Sequence, residues 1–225
     1  MKHLVALAVL AFATSAAAQE PQPLTLHFDF FYNNIPAAKV VETFTIEEDG
    51  GYVIDSHAKA SGLAKLLYGD VVRKSRGRID GVLGLLPLHF ETKRGKRPKT
   101  TMVFDEDADV LHLQRGDEKR SEPAPEAPLV DYLTAIYRPY ILQTLTPGTV
   151  AATDGWRIKT YEYIAGEMEK IKTPMGEFDA VPLIRESERG NRVFWLAPEM
   201  DYIPIKVHID DKGHVFKSIL TAVNP

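Results

Sequence analysis

A strict alternation of apolar and polar residues near the C-terminus constrains this chain more than any other feature. Between residues 202 and 209 every second side chain is Ile or Val, and the intervening ones are mostly polar. A period of two is that of a β-strand with one buried face. Turn signals at 173–176 and 211–213 divide the region 168–223, which we interpret as four strands joined by tight turns.

The same pattern starts close to the N-terminus and continues as a succession of hairpins. Residues 24–32 alternate in the same way, and strand-like segments follow as far as residue 114. Two apolar segments with helical spacing interrupt them, a short one at 63–68 and a longer one at 129–142 that contains Pro139. Helices and strands do not alternate regularly, which argues against a parallel sheet. We therefore predict a mainly β fold, an antiparallel meander forming a strongly curved sheet or partly open β-barrel, with one clear helix and one short helix.

The first 18 residues have the composition of a secretory signal peptide. A basic start is followed by an apolar run at 4–13 and by Ala-Ala-Ala at 16–18, which predicts cleavage after Ala18. The run is too short to span a bilayer, and no membrane span is predicted elsewhere. Because the chain has no cysteine, a bacterial periplasm is the expected compartment. Residues 19–225 are expected to form a single β-rich domain, in which the Pro-rich segment 122–128 is a strap or a linker between two halves.

Charge and motif content exclude several classes of protein. The formal net charge is −4, and loss of Lys2 with the signal peptide makes it more negative, which argues against nucleic acid as a partner. The sequence has no complete nucleophile elbow, phosphate loop or zinc-binding helix. We therefore predict no catalytic residue, no metal ligand and no cofactor. Asp55 and His57 lie on one face of a predicted strand and could act as acid and base, although a polar row facing water is the ordinary outcome.

Aromatic and basic side chains are the best candidates for a binding site, because Tyr and Trp are favoured where a ligand meets a protein surface. If the two helical segments lie across the concave face of the sheet, the space beneath them is the expected pocket. Lys93 or Arg94 would then stand at its polar rim, whereas Trp195 also fits a core position. The predicted ligand-binding residues are Tyr68, Lys93, Arg94, Tyr132, Tyr137, Arg138, Trp195 and Tyr202.

Four segments, taken in order, resemble one protein family. They are Gly-Leu-Leu-Pro-Leu-His-Phe at 84–90, the helical segment at 130–138, Thr-Pro-Met-Gly-Glu-Phe at 173–178, and Trp195 followed by Ile-Pro-Ile-Lys at 203–206. Together they resemble the exported bacterial proteins grouped as the domain of unknown function 3108 family. The chain departs from the family pattern at 36–38, where a glycine is expected in the first turn. The resemblance implies a β-rich domain of the periplasm or outer envelope, with no established activity.

Three functions follow from the sequence, in decreasing order of support. The first is a non-enzymatic periplasmic binding protein that holds an apolar ligand, such as a lipid, or a saccharide ligand in the concave face of the sheet. The second is a structural or interaction protein that docks to an envelope protein partner through an exposed strand edge or through residues 122–128. The third is a hydrolase of envelope polymers that uses Asp55 and His57, or a carboxylate pair not recognised in the sequence, as acid and base.

Overall fold

The computed structural model describes residues 21–187 and 190–224, so that the predicted signal peptide at 1–18 lies outside the described residues. The described part contains sixteen strands, two α-helices, and a 3-10 turn at Pro198–Met200. The predicted mainly β class, with one longer and one short helix, is confirmed.

The helices are α1 (Gly62–Tyr68) and α2 (Thr134–Leu142). The strands are β1 (Leu24–Tyr32), β2 (Ile35–Ile46), β3 (Gly51–Ala60), β4 (Val71–Asp80), β5 (Gly84–Arg94), β6 (Thr100–Asp105), β7 (Val110–Arg115), β8 (Glu118–Pro123), β9 (Leu129–Asp131), β10 (Gly148–Thr153), β11 (Ile158–Ala165), β12 (Glu169–Thr173), β13 (Gly176–Arg185), β14 (Arg192–Ala197), β15 (Ile203–Asp211) and β16 (His214–Asn224). The region 168–223 thus holds five strands, β12 to β16, rather than the expected four. The additional strand, β12, pairs with β13 and lies outside the main strand order of the sheet.

Almost all strands pair with their neighbours in sequence. The order is β8-β7-β6-β5-β4-β3-β2-β1-β16-β15-β14-β13-β11-β10-β9, and the pairs are antiparallel except for β9 with β10. Short connections make antiparallel neighbours, and a twisted sheet of this many strands curls rather than staying open and flat. The predicted antiparallel, strongly curved sheet is confirmed.

The two ends of the sheet face each other across a seam without forming a ladder. Thr100 on β6 donates a hydrogen bond from Oγ1 to the carbonyl oxygen of Asp154 at 3.0 Å. The Trp156 ring lies beneath the guanidinium groups of Arg115 and Arg120, at 4.7 and 4.5 Å from its centre. The Pro-rich segment 122–128 connects the two edge strands, β8 and β9. Side chains and this connection, rather than ladder hydrogen bonds, make the sheet a partly open barrel.

Helix α2 lies inside the curve and fills one end of it. Its Tyr137 is fully buried, and the Tyr137 ring stacks on Phe44 of β2 with centroids 6.1 Å apart. The Tyr140 ring meets the same Phe44 ring edge-on, with centroids 5.9 Å apart. The Tyr52 ring of β3 also stacks on Phe44, with centroids 6.5 Å apart. This aromatic cluster is part of the buried core.

The predicted helix at 129–142 begins later than its apolar pattern suggested. Its first three residues form β9, and α2 starts at Thr134. The carboxylate of Asp131 accepts hydrogen bonds from the backbone N–H groups of Leu133 and Thr134, at 2.7 and 3.0 Å. This side-chain-stabilised turn lies between the end of the strand and the first residue of the helix. The helix then passes through Pro139 and ends at Gln143, which adopts a left-handed conformation.

Helix α1 has the predicted position but not the predicted burial. Its C-cap Gly69 has φ of 68°, as expected for a glycine stop. However, Leu63, Leu66 and Leu67 are 70%, 82% and 63% exposed. The expectation that this apolar stripe is buried is wrong for α1, because the helix sits at the rim of the sheet instead of lying across its concave face.

Two buried polar clusters attach the β9–α2 segment to the first half of the sheet. Ser75 on β4 donates a hydrogen bond to Asp131 at 2.5 Å and lies 3.0 Å from the hydroxyl of Tyr52. Glu42 on β2 accepts hydrogen bonds from Ser56 at 2.9 Å and from Tyr137 at 3.1 Å. Such fully satisfied networks specify one arrangement of the elements they join.

A bulge where β4 meets β5 requires a glycine. The register shifts at Gly77, which lies opposite Pro87, in agreement with the bulged position that a proline in this strand indicates. A Cβ atom on Gly77 would stand 1.9 Å from the carbonyl oxygen of Leu86. Only a residue without a side chain permits this approach.

Replacement of Gly77 by Ala should therefore be costly. We expect Gly77→Ala to lower the free energy of unfolding by about 2–3 kcal/mol, because the β5 backbone must move to admit the methyl group. Gly81→Ala is the matched control, since nothing lies within 4 Å of its added Cβ. Urea unfolding that gives the two variants equal stability would contradict the close approach.

The stability of the folded protein should depend on pH through Asp131. Burial raises the pKa of Asp131 to about 6, and the hydrogen bonds from Ser75 and from the helix start only partly oppose it. The folded state therefore holds the proton more tightly than the unfolded state, whose carboxyl has an ordinary pKa. Stability contributed by this group is present below about pH 4 and is lost as the pH rises through about 6.

The measurement is urea unfolding of the wild type and of Asp131→Asn between pH 4 and 7. Relative to the wild type, the Asn variant should gain roughly 2–3 kcal/mol across this range, because its amide does not titrate. Burial also raises the pKa of Glu42. Repeating the comparison in a Glu42→Gln protein therefore separates the pH dependence due to Asp131 from that due to Glu42. A stability difference independent of pH would show that Asp131 is ionised throughout.

Candidate functional site

A cavity of about 940 Å³ occupies the concave side of the sheet beside α2. Its position follows from the size of the inward side chains along β2 and β3. At the end that α2 fills, these are large residues such as Phe44 and Tyr52, whereas at the other end they are Ala38, Ala58 and Ala60. Small residues on two adjacent strands leave room for the cavity at this end of the sheet.

One wall of the cavity is apolar and largely aromatic. The Phe30 ring on β1 stacks on Phe216 of β16 with centroids 6.2 Å apart, because these strands are neighbours. Further apolar side chains come from the alternating inward positions of the central strands. The main apolar lining residues are Phe28, Phe30, Val40, Val71, Phe194, Val207, Ile209 and Phe216.

Besides the exposed Arg157 and Lys159, the facing part of the lining carries four arginines that lie over tyrosine rings. Arg73 of β4 and Arg192 of β14 place their guanidinium carbons 5.9 and 5.0 Å from the centre of the Tyr132 ring. Arg185 lies 4.1 Å from the ring centre of Tyr161. In the same way Arg94 lies 4.8 Å from that of Tyr68 at the rim. Each cation is held over the face of a tyrosine, a geometry that stabilises charge.

These arginines lack acidic partners. The ion pairs of residues 21–187 and 190–224 leave all four without a carboxylate within 4 Å. The Nε atoms of Arg94, Arg185 and Arg192 are buried and have no hydrogen-bond partner in the part of the chain that the structure describes. Burial lowers the pKa of Arg73, where Glu42 opposes the shift, and of Arg185, where Arg192 adds to it. Guanidinium groups nevertheless stay protonated in proteins.

The acidic residues of the lining do not neutralise this positive charge. Glu42 and Asp131 are buried in the hydrogen-bonded clusters described above, and Asp154 accepts bonds from its own turn at Trp156 and Arg157. The remaining acids are exposed at the rim; they are Glu162, Glu186 and Asp211. Among the described residues, the interior therefore presents several cations close together, of which Arg73 has Glu42 as a nearby counter-charge.

Three of the eight residues predicted from the sequence lie on this cavity. They are Tyr68, Arg94 and Tyr132. Two others contribute to its support rather than its lining: Tyr137 bonds Glu42 within the core, and Arg138 donates from Nε to the carbonyl oxygen of Leu83 at 2.6 Å.

The other three predicted residues lie away from the cavity. Lys93 is exposed and donates a hydrogen bond to the carbonyl oxygen of Arg97. Trp195 is on the outer face, where its Nε1 donates to Glu169 at 2.5 Å and Lys206 lies 3.9 Å from the ring centre. Tyr202 follows the 3-10 turn with φ of 61°.

Sequence reasoning missed Arg73, Arg185 and Arg192. The strand pattern does hold a signal for them, since each shares its parity with inward residues of its own strand. Arg192, for example, is two residues from Phe194, which lines the cavity. An arginine at an inward-facing position of a half-buried strand therefore indicates a candidate cavity residue.

Asp55 and His57 are on the opposite, outer side of β3. Asp55 accepts a hydrogen bond from Lys74 at 3.1 Å, and the His57 side chain is exposed. No group of three or more potential metal ligands occurs within the described ranges. In the same ranges no helix is long and apolar enough to cross a membrane.

Helix α1 forms part of the cavity rim. Ala64 and Tyr68 line the cavity, and the Tyr68 ring meets Tyr32 of β1 at 6.4 Å. The C-terminal end of the helix packs closely against the β5–β6 turn. A Cβ atom on Gly95 would lie only 2.5 Å from the carbonyl oxygen of Tyr68. The exposed leucines of α1 thus stand beside the cavity entrance.

Comparison with known proteins gives the fold and the family. A solved structure, a β-barrel-like protein of domain of unknown function DUF1849 from Brucella abortus, matches with a TM-score of 0.59 at 10% identity, covering 92% of this chain and 99% of that one. This likeness concerns the fold alone. A candidate lipoprotein from Parabacteroides distasonis ATCC 8503 has a TM-score of 0.36 at 9% identity, covering 90% and 95%. No curated protein matches the sequence.

A family model gives the identity that the four sequence segments suggested. The model described as "Protein of unknown function (DUF3108)" matches residues 27–220. These include the β4–β5 bulge, the β9–α2 segment and every strand that lines the cavity. The chain therefore belongs to the DUF3108 family.

Proposed function

We propose that this protein is a non-enzymatic binding protein of the periplasm, which holds a ligand with an apolar part inside the curved sheet. The observation that carries the proposal is the cavity of about 940 Å³. Sites for small molecules typically measure about 300–1,000 Å³ and are lined mainly by apolar and aromatic side chains, with few polar groups. The periplasmic location rests on the signal peptide expected at 1–18 and on the absence of cysteine.

The lining favours an apolar ligand over a saccharide. Sugars bind by stacking on free aromatic faces and through dense hydrogen bonds, but Tyr68, Tyr132 and Tyr161 each have an arginine over the ring. Most of the other aromatic rings of the lining, such as Phe28, Phe30 and Phe216, belong to the apolar wall and carry no polar atom. Burial of hydrocarbon against this wall would supply the binding free energy.

The alternative of an interaction protein receives less support. A protein that docks through a strand edge needs an open, long edge and has no need of a hollow interior. The interior holds a cavity instead, and the edge strand β8 is short and exposes Glu118, Lys119 and Arg120. Charged side chains on an edge strand oppose pairing with another strand.

The proposal predicts that filling the cavity abolishes binding. The wild-type chain should bind the fluorescent apolar probe N-phenyl-1-naphthylamine, and Ala58→Trp should weaken binding by at least about tenfold, since the indole occupies the ligand volume. Ala38→Phe tests the adjacent strand in the same way. Ala165→Trp is the matched control, because Ala165 is exposed on β11 and does not line the cavity.

Circular dichroism and urea unfolding establish that each variant is folded before binding is measured. Native mass spectrometry of the wild-type protein should also detect a co-purified small molecule that Ala58→Trp lacks. A wild-type protein that binds neither probe nor co-purified ligand, or an Ala58→Trp variant that binds as tightly as Ala165→Trp, would overturn the proposed function.

A further inference from the structure

We propose that the ligand is an anionic amphiphile, whose carboxylate or phosphate head group is bound by Arg73, Arg185 and Arg192. This inference rests on the proposed function and specifies its ligand class. The three guanidinium groups come from β4, β13 and β14, and the curvature of the sheet brings them together around Tyr132 and Tyr161.

The arrangement is unfavourable without a ligand. Arg185 and Arg192 are directly opposite each other in the β13–β14 ladder, and like charges at such positions repel. Both side chains line the same cavity. The charge of Arg192 also repels that of Arg73 there. An anion between them would convert this repulsion into attraction.

Unused hydrogen-bonding capacity points the same way. The buried Nε donors of Arg185 and Arg192 have no partner among residues 21–187 and 190–224, although buried donors are nearly always paired in native proteins. Arg185 is only 7% exposed, so bulk water gives it little compensation. Guanidinium groups match carboxylate and phosphate oxygens in a two-pronged geometry, which identifies the chemistry of the missing acceptor.

The apolar wall accounts for the other half of the ligand. Phe194 follows Arg192 by two residues on the inner face of β14, and Val71 precedes Arg73 by two on β4. Each cation is thus adjacent to hydrocarbon surface in the same cavity. A small anion alone would use the arginines and leave this wall in contact with water, whereas an alkyl chain attached to the anion would cover it.

The test compares three twelve-carbon probes with different head groups. Dodecanoate, dodecyl phosphate and dodecanol are titrated against N-phenyl-1-naphthylamine bound to the full mature chain. Both anions should displace it at concentrations at least about tenfold lower than dodecanol, the effect expected from charge-assisted hydrogen bonds. In Arg192→Gln and in the Arg73→Gln/Arg192→Gln double variant this preference should disappear, while the affinity for dodecanol changes by less than about twofold.

Arg120→Gln is the matched control. Arg120 also lies over an aromatic ring, that of Trp156 at 4.5 Å, but it is outside the cavity. Its replacement should leave the affinity for all three probes unchanged. Urea unfolding of the ligand-free proteins adds a separate readout: the midpoint of Arg192→Gln should equal or exceed that of the wild type, because a repulsive neighbour is removed.

The outcomes separate this inference from the proposed function. Failure of all three probes to bind would overturn both. Dodecanol binding as tightly as the anions would overturn the anionic ligand and leave a binding protein for neutral apolar molecules. Inorganic phosphate that binds as tightly as dodecyl phosphate would replace the amphiphile by a free anion. An Arg192→Gln variant with a lower unfolding midpoint and an unchanged preference would assign this arginine a structural role and overturn the head-group site.

Discussion

The attachment of one buried segment to the inside of the curled sheet is the constraint on which the rest of the structure depends. The sheet does not close through backbone hydrogen bonds, so its interior shape has to be set by what is held there. Asp131 and Tyr137, from the β9–α2 segment, bond Ser75 and Glu42 on strands far away in sequence. Because these polar groups are buried, leaving any of them unpaired would be costly, and α2 is held at one end of the curve.

The same constraint creates the cavity. With α2 and its aromatic neighbours filling one end, the other end of β2 and β3 carries alanines and stays empty. The arginines of β4, β13 and β14 then face a space that is neither bulk water nor packed protein. In that setting cations keep their charge but lose part of their solvation, which is a cost in stability.

Much of the fold and a smaller part of the site could be predicted from residues alone. The alternation at 24–32 and 202–209 identified strands and their inner faces correctly, because period two depends only on local geometry. The helix at 129–142 was placed too early, since its apolar spacing also suits a short buried strand. The turn in which Asp131 accepts backbone hydrogen bonds exists only in the folded geometry. Tyr68, Arg94 and Tyr132 reached the cavity, whereas Trp195 is on the outer face because its strand parity, not its aromatic character, determines its side of the sheet.

By itself the sequence determined the strand pattern, the turns between neighbouring hairpins and the family, all of which depend on residues close together in the chain or on their order. Only the tertiary structure decided which strands meet across the barrel, that α1 stands exposed at the rim, and that Arg73, Arg185 and Arg192 share one interior. Local spacing cannot specify these contacts, because they arise from the accumulated twist and curl of the whole sheet. A cavity is a property of that global shape, and no short segment of sequence contains it.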